Sequence, residues 1–212
     1  MGAIVNITHV SDLHGSLDAL AGVYWPTDLW VFSGDILPDA PIGDRDSFAR
    51  YQRNWFRRNA KHFRAAIGDA PVLVVDGNHD FAFLSEEMTD AGMTNVRDVT
   101  VRARQIMGHG FAGFGYVPYD AGRWSGEVGN DMLDRASVRS LASGADVLVT
   151  HCPPAGILDA GLGNAPLAAR LKGDHNVKLH LFGHVHEHAG EEVTIDGVRY
   201  CNGALGARLV VL

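Results

Sequence analysis

The sequence predicts an α/β fold formed as a single domain over residues 1–212. Short apolar runs rich in β-branched residues recur along the chain and are bounded by Gly, Pro or Asp, a pattern typical of buried strands. Longer segments with apolar residues at helical spacing lie between several of these runs. No internal repeat, low-complexity segment or linker divides the chain, and 212 residues suffice for one sizeable core.

In the first half of the chain, predicted strands and helices follow one another. Strands are expected at residues 3–10, 28–32 and 71–75, and helices at 46–67 and 85–91. The long helix carries Arg and Lys residues interleaved with an apolar stripe, which favours a solvated helix face over a nucleic-acid surface.

The second half is predicted to contain more strand than helix. Residues 93–119 are strand-like, and the part rich in glycine and aromatic residues, 108–116, is compatible with a loop near a site or with a plain hairpin. A helix is expected at 131–142, strands at 145–150, 177–182 and 208–212, and a hairpin turn at Asp196-Gly197.

Composition excludes several classes of partner. The net charge is −7 and no basic run occurs, so binding to long nucleic acid is disfavoured. No apolar stretch of transmembrane length and no basic-then-apolar leader is present, which argues against a membrane partner and against secretion. Cys152 and Cys201 lack metal-site spacing, so we expect a reducing, cytoplasmic setting.

Polar residues that can bind metals follow five of the predicted strands. They are Asp12 and His14, Asp35, Asn78 and His79, His151, and His184 and His186. Each alone has an ordinary explanation: a helix-capping or turn-forming Asp, a polar loop, or a hydrogen-bonded structural His. Five such strand ends are much harder to explain in this way, provided that they share one rim. The set mixes oxygen and nitrogen ligands without thiolate, which suits two Mn, Fe, Zn, Ni or Co ions that share a carboxylate.

The same residues form motifs that resemble the calcineurin-like metallophosphoesterases. Asp-x-His, Gly-Asp, Gly-Asn-His-Asp, a later His and Gly-His-x-His occur in that order over residues 12–186. The resemblance implies a sandwich of two mixed β-sheets flanked by helices. It also implies residue roles: one metal held by Asp12, His14 and His186, a second held by Asn78, His151 and His184, and Asp35 bridging both. His79 would contact the phosphate and protonate the leaving oxygen.

The segments Thr150–Pro154, Gly183–Glu187 and Asn202–Ala204 look most like a small branch of metal-dependent phosphodiesterases that act on cyclic nucleotides or model diesters. We therefore expect hydrolysis of a small phosphodiester by in-line attack of a hydroxide bound to two metals. A phosphomonoesterase or nuclease using the same metals is the alternative, and a non-catalytic binding module of the same fold is a third reading.

One departure from the family pattern leaves a role open. Protein phosphatases follow Gly-Asp with Asp-Arg-Gly, whereas Gly34-Asp35 runs into Ile36-Leu37-Pro38-Asp39. A protein-phosphatase function is therefore disfavoured. The group that orients His79 could be Asp39 or Asp80, and spacing does not decide between them.

Overall fold

A computed structural model describes residues 4–39, 43–100 and 102–212. Ala3, where the first predicted strand begins, and Val101, inside the strand-like segment, lie outside these residues. The strands are β1 Asn6–Ser11, β2 Leu29–Ser33, β3 Val72–Val75, β4 Val96–Asp98, β5 Arg104–Ile106, β6 His109–Phe114, β7 Val117–Pro118, β8 Glu127–Val128, β9 Val147–Thr150, β10 Leu179–Phe182, β11 Glu192–Ile195, β12 Val198–Asn202 and β13 Gly206–Val211. The helices are α1 Asp18–Ala21, α2 Arg45–Ile67, α3 Leu84–Asp90, α4 Asn130–Leu141 and α5 Ala165–Arg170, and a 3-10 turn covers His186–His188.

Two large mixed sheets form the centre of the protein, which confirms the predicted fold class. The first has the strand order β13-β1-β2-β3-β4, in which only the pair β13–β1 is antiparallel. The second has the order β11-β12-β10-β9-β6-β5, in which the outer pairs β11–β12 and β5–β6 are antiparallel. Residues 108–116 therefore belong largely to a hairpin rather than to a loop near the site.

Apolar residues on alternate faces of the strands fill three layers of core. Ile7, Val31 and Leu73 of the first sheet pack against residues such as Val149 and Leu181 of the second. The outer face of the first sheet packs on α2 and α3, and the outer face of the second packs on α4 and α5. The sandwich follows from strands that are apolar on both faces, since each face must be covered.

Helix α2 shows how local sequence sets an element. The Asp44 side chain accepts a hydrogen bond from the Ser47 backbone N–H at 2.9 Å, which caps the first turn. Phe56 and Phe63 lie on the buried face and pack on the first sheet. The helix ends at Gly68, whose φ of 58° lies in the left-handed region. This helix was predicted at 46–67 and begins one residue earlier.

Four small elements, α1, α5, β7 and β8, have bounds that the sequence does not predict. Helix α5 is short, and its first turn is capped by the Asn164 side chain, which accepts from the Leu167 N–H at 2.9 Å. Strands β7 and β8 form a parallel two-stranded ladder over the segment 117–128. Helix α1 has four residues, too few for a clear helical period.

Candidate dinuclear metal centre

The carboxyl ends of five parallel strands meet at one rim of the sandwich. β1, β2 and β3 of the first sheet lead into Asp12, Asp35 and Asn78. β9 and β10 of the second sheet lead into His151 and His184. Carboxyl ends of parallel strands are a common place for binding sites because the following loops lie close together. The structure brings all eight sequence-predicted site residues to this rim.

A first group of possible ligands consists of Asp12, His14 and His186, which each offer an atom within 4.8 Å of the others. The Asp12 Oδ1 atom lies 3.2 Å from His186 Nε2, and Oδ2 accepts the His184 backbone N–H at 2.9 Å. Both ring nitrogens of His14 are buried and, among the described residues, neither makes a hydrogen bond, although Asp39 Oδ1 lies 3.5 Å from Nδ1. Because a buried ring nitrogen without a partner is unfavourable, His14 fits a position where a cation binds.

A second group consists of Asp35, His151 and His184, again with atoms within 4.8 Å of one another. The His151 Nδ1 atom pairs with the Ser33 carbonyl oxygen at 2.9 Å, so Nδ1–H is the donor there and Nε2 is the ring atom that faces the site. That Nε2 atom lies 3.1 Å from Asp35 Oδ2 and 3.0 Å from Asn78 Oδ1. Without a metal, Nε2 holds a proton between these oxygens; once that proton is lost, all three atoms can ligate a metal.

Asp35 joins the two groups. A third set of atoms within 4.8 Å of one another consists of His14, Asp35 and His79. This set shares His14 with the first group and Asp35 with the second, so the three sets form one continuous cluster. The other Asp35 oxygen, Oδ1, accepts the His79 backbone N–H at 2.7 Å. This central position is the one that a bridging carboxylate needs.

Four of the residues at the rim have a strained backbone. The φ angles of Asp12, His14, Asp35 and His184 are 53°, 44°, 54° and 68°. A non-glycine residue in this left-handed region costs about 1–3 kcal/mol, and such residues cluster at functional sites. The strain indicates that the surrounding contacts hold these side chains where the backbone alone would not.

Two positions in the sequence motifs must be glycine because neighbouring residues approach the backbone there too closely for a side chain. A Cβ atom on Gly77 would lie 2.6 Å from the Asp35 backbone nitrogen and would also collide with the Asp35 carboxylate. A Cβ atom on Gly183 would lie 2.7 Å from Ser11 Cβ and would collide with Asp12 Oδ2. The strand ends can meet only because these positions lack a side chain.

The charged side chains at the rim shift one another's pKa values. Burial opposes ionisation of Asp35, but the neighbouring His151 holds the pKa of that carboxyl well below its usual range. Burial opposes protonation of His151, but Asp35 and Asp12 raise its pKa to about 10. Burial and the nearby His151 lower the pKa of His184 to about 4. Cations bound here would replace the His151 proton as the charge that balances the carboxylates.

The surroundings of His79 decide between the two carboxylates left open by the sequence. Asp39 Oδ1 lies 2.6 Å from His79 Nδ1. Asp80 instead accepts backbone N–H bonds from Asp35 at 2.8 Å, Gly77 at 2.9 Å and Leu37 at 3.0 Å. Burial and the Asp35 charge raise the pKa of Asp80 to about 7. Asp39 is thus the partner of His79, and Asp80 holds the backbone of the loops.

Two residues that sequence reasoning missed also contact His79. The indole ring of Trp124 stacks on the imidazole, with 4.0 Å between ring centroids and 26° between planes. Gln52, fully buried on α2, donates to the His79 carbonyl at 2.6 Å and the Pro38 carbonyl at 3.2 Å. Its Oε1 atom accepts from the N–H groups of Phe81 at 2.7 Å and of the next residue along the chain at 2.9 Å. The sequence carries no signal for either contact, since both join segments distant in the chain.

Three further polar residues have side chains directed away from the proposed ligands. His109 is at the start of β6, at the opposite end from the rim, and pairs with Asp146 Oδ2 at 2.7 Å. Asp76 accepts the Leu84 backbone N–H at 2.9 Å, at the N-terminus of α3. The Cys152 thiol is buried and donates to the Leu162 carbonyl at 3.3 Å. These three therefore have structural contacts of their own.

Comparison with known proteins gives one family and several relatives. The sequence profile described as Calcineurin-like phosphoesterase matches residues 5–188. A UPF0046 protein of Caenorhabditis elegans is 25% identical over 95% of this chain and 75% of its own length. Metallophosphoesterase domain-containing protein 1 of Homo sapiens is 25% identical over 92% of this chain, which spans 64% of that protein. The crystal structure of TT1561 of Thermus thermophilus superposes with a TM-score of 0.66 at 17% identity, covering 99% of both chains, and this likeness concerns the fold alone.

None of the helices in the described part of the chain combines the length and apolar character that crossing a membrane requires.

Proposed function

The chain belongs to the calcineurin-like phosphoesterase family, and from this we propose that it hydrolyses a small phosphodiester, such as a cyclic nucleotide, with two divalent transition-metal ions. Membership implies a hydrolase of phosphoric esters, and the diester substrate is the part that we add. The observation that supports activity is the convergence of Asp12, Asp35, His151 and their neighbours at one rim, with no residue of the predicted set displaced.

The donor set fits the metals that the family binds. Carboxylate, amide and imidazole atoms suit Mn, Fe, Zn, Ni or Co, and no thiolate is present to select a softer ion. We assign Asp12, His14 and His186 to one ion, Asn78, His151 and His184 to the other, and Asp35 to both. Two divalent cations held there would supply an activated water and positive charge beside the phosphoryl oxygens.

The chain's own contribution to the reaction is a placed proton. His79 Nδ1 faces Asp39 at 2.6 Å, so Nε2 is the ring atom that can face a substrate. We propose that Nε2–H contacts the phosphate and gives its proton to the leaving alkoxide, a role worth roughly 10²–10⁴-fold. The Asp39 carboxylate fixes the orientation of the ring.

The proposal extends to the setting of the protein. We propose that residues 1–212 act as one domain, because the ligand groups draw on both sheets and the core between the sheets is continuous. Cys152 and Cys201 are both free thiols, which supports a reducing cytoplasmic location. The net charge of −7 supports a small substrate over long nucleic acid.

The test is a substrate panel on metal-stripped protein reconstituted separately with Mn, Ni, Zn or Fe. A cyclic nucleotide, a nitrophenyl diester, a phosphomonoester and single-stranded nucleic acid are assayed in parallel, and we expect the first two to be hydrolysed fastest. Asp35→Asn should abolish turnover, whereas the same change at the remote Asp146 should not. Faster hydrolysis of the monoester or of nucleic acid would contradict the proposed diester substrate and assign that compound class instead. Turnover that survives thorough chelation would contradict the whole proposal.

Loss of His79 separates the acid role from metal binding. His79→Ala should lower kcat more on an ester with a poor leaving group than on a nitrophenyl ester, because a good leaving group needs no proton. Equal losses on both esters would contradict the acid role while leaving the metal site intact.

A further inference from the structure

The segment Gly122–Gly126 lies directly against the loop that carries Asn78 and His79. The Ser125 backbone N–H donates to the Asn78 carbonyl at 2.9 Å. The Trp124 indole stacks on the His79 ring at 4.0 Å. This segment connects β7 to β8, in the second half of the chain, and no motif of the family includes it.

Trp124 is held in place from two sides. On one side, the Arg45 guanidinium at the start of α2 donates to the Trp124 carbonyl at 2.9 Å and to the Gly122 carbonyl at 3.3 Å. On the other side, the Ser125 N–H is bound to the loop of His79. The backbone that carries the indole is therefore anchored independently of the His79 ring.

The contacts of His79 show what the indole adds. Its backbone is fixed at the N–H by Asp35 and at the carbonyl by Gln52. Asp39 fixes one ring nitrogen at 2.6 Å. A single hydrogen bond at one ring atom still allows the imidazole plane to rock about that bond. Trp124 lies against the face of the ring, and the His14 ring lies edge-on to it at 4.9 Å and 89°, so together they restrict the plane.

We propose that Trp124 is a positioning residue, which holds the plane of the His79 ring so that Nε2 points at the leaving oxygen. This inference rests on the proposed acid role of His79. Trp124 acts through His79 rather than on the substrate, so its loss should reduce proton donation without weakening substrate binding. A misplacement of about 1 Å at a reacting group can cost on the order of 10²-fold in rate.

The test compares Trp124→Leu, which removes the aromatic face, with Trp124→Phe, which keeps one. On an ester with a poor leaving group, Trp124→Leu should lower kcat roughly ten- to a hundredfold with KM unchanged. On a nitrophenyl ester, kcat of Trp124→Leu should stay near the wild-type value. On the ester with the poor leaving group, Trp124→Phe should retain most of the wild-type kcat. Tyr119→Leu, at an aromatic residue that is 66% exposed in the same connection between β7 and β8, is the matched control and should change kcat on neither ester.

Two further measurements separate positioning from other roles. In a His79→Ala background, Trp124→Leu should have no added effect, because the residue that it positions is gone. In NMR spectra of protein labelled at histidine, the His79 Cε1–H resonance should move downfield in Trp124→Leu as the ring current of the indole is lost, and should stay shifted in Trp124→Phe.

Several results would overturn the proposal. A raised KM with unchanged kcat would mean that Trp124 binds substrate, and an equal loss on both esters or an additive loss in the His79→Ala background would mean a structural role. An unchanged His79 resonance in Trp124→Leu would mean that the indole does not stack on the imidazole in solution. If the wild type hydrolysed no ester with any metal, the proposed function would fail, and the NMR comparison would still decide whether Trp124 holds the ring.

Discussion

Adding one methyl group at Gly77 should disable the rim while leaving the rest of the fold in place. In Gly77→Ala the new Cβ would lie 2.6 Å from the Asp35 backbone nitrogen, about 0.8 Å short of the 3.4 Å at which ordinary contacts begin. The new Cβ would also collide with the Asp35 carboxylate, but rotation of that side chain alone gives no relief because the backbone nitrogen also obstructs, so the strand end must shift. Overpacking of this kind costs about 1–3 kcal/mol of folding stability. The shift falls on Asp35, the carboxylate shared by the ligand groups.

The assay measures Mn²⁺ affinity by calorimetry, ester hydrolysis and urea unfolding on the same preparation. We expect Gly77→Ala to lose on the order of 10²-fold in activity, with weaker metal binding and a folded protein that is destabilised by about 1–3 kcal/mol. Gly206→Ala adds the same methyl group where no atom lies within 4 Å, and it should change stability by only about 0.5 kcal/mol or less. Wild-type metal affinity and activity in Gly77→Ala would refute the claim that close approach at this position places Asp35.

Three other predictions follow from the contacts of polar side chains. Asp39→Asn removes the charge beside the proposed acid and should lower kcat on poor leaving groups on the order of 10–100-fold, a reading that an unchanged rate would contradict. Gln52→Leu deprives four backbone groups of their partners and should reduce the free energy of urea unfolding by about 3–5 kcal/mol, whereas the exposed neighbour Asn54→Ala should have little effect. Burial lowers the pKa of His9 and His180 to about 3, below the ordinary 6.5. The unfolded chain therefore takes up more protons between these values, and stability should fall with decreasing pH by up to about 1.4 kcal/mol per pH unit for each residue. Asp80, whose pKa is raised to about 7, contributes a slope of the opposite sign over the same pH range. Urea unfolding at pH 7 and pH 5 is therefore compared between the wild type and His180→Gln, and stability should fall less with decreasing pH in the variant.

The strand ends were predictable because two local sequence signals indicate each of them. A run such as 72–75 is short, β-branched and buried, and the residues that follow it are polar and contain glycine. Both signals are local, so they survive without knowledge of the fold. The family pattern then implied how the strands are arranged in two sheets, which the structure confirms. The assignment of ligands to particular ions remains a prediction, although the residues concerned lie together.

The surroundings of the proposed acid were only partly predictable: the sequence named Asp39 as one of two candidate partners of His79, but every one of its side-chain partners comes from a distant part of the chain. Asp39 is 40 residues before His79 and Gln52 is 27 residues before it. Gln52 lies on a helix whose periodicity shows only that the position is buried. Trp124 lies in a segment without a clear period, between two very short strands. Such contacts depend on how the loops fold over one another, and local pattern carries no information on that.

The four residues Gly77, Asn78, His79 and Asp80 show why the loop must be treated as a unit. Asp80 is adjacent to His79 in sequence, yet its carboxylate accepts the N–H groups of Gly77 and Asp35 and so binds the two strand ends together. The absence of a side chain at Gly77 lets those ends approach, and the approach in turn places Asn78 within 3.0 Å of His151. If Asp80 were turned toward His79 instead, three buried backbone donors, those of Asp35, Leu37 and Gly77, would lose their acceptor, at a cost of about 1–3 kcal/mol each. The orienting carboxylate for His79 therefore has to come from outside the loop, and Asp39 is the residue that supplies it.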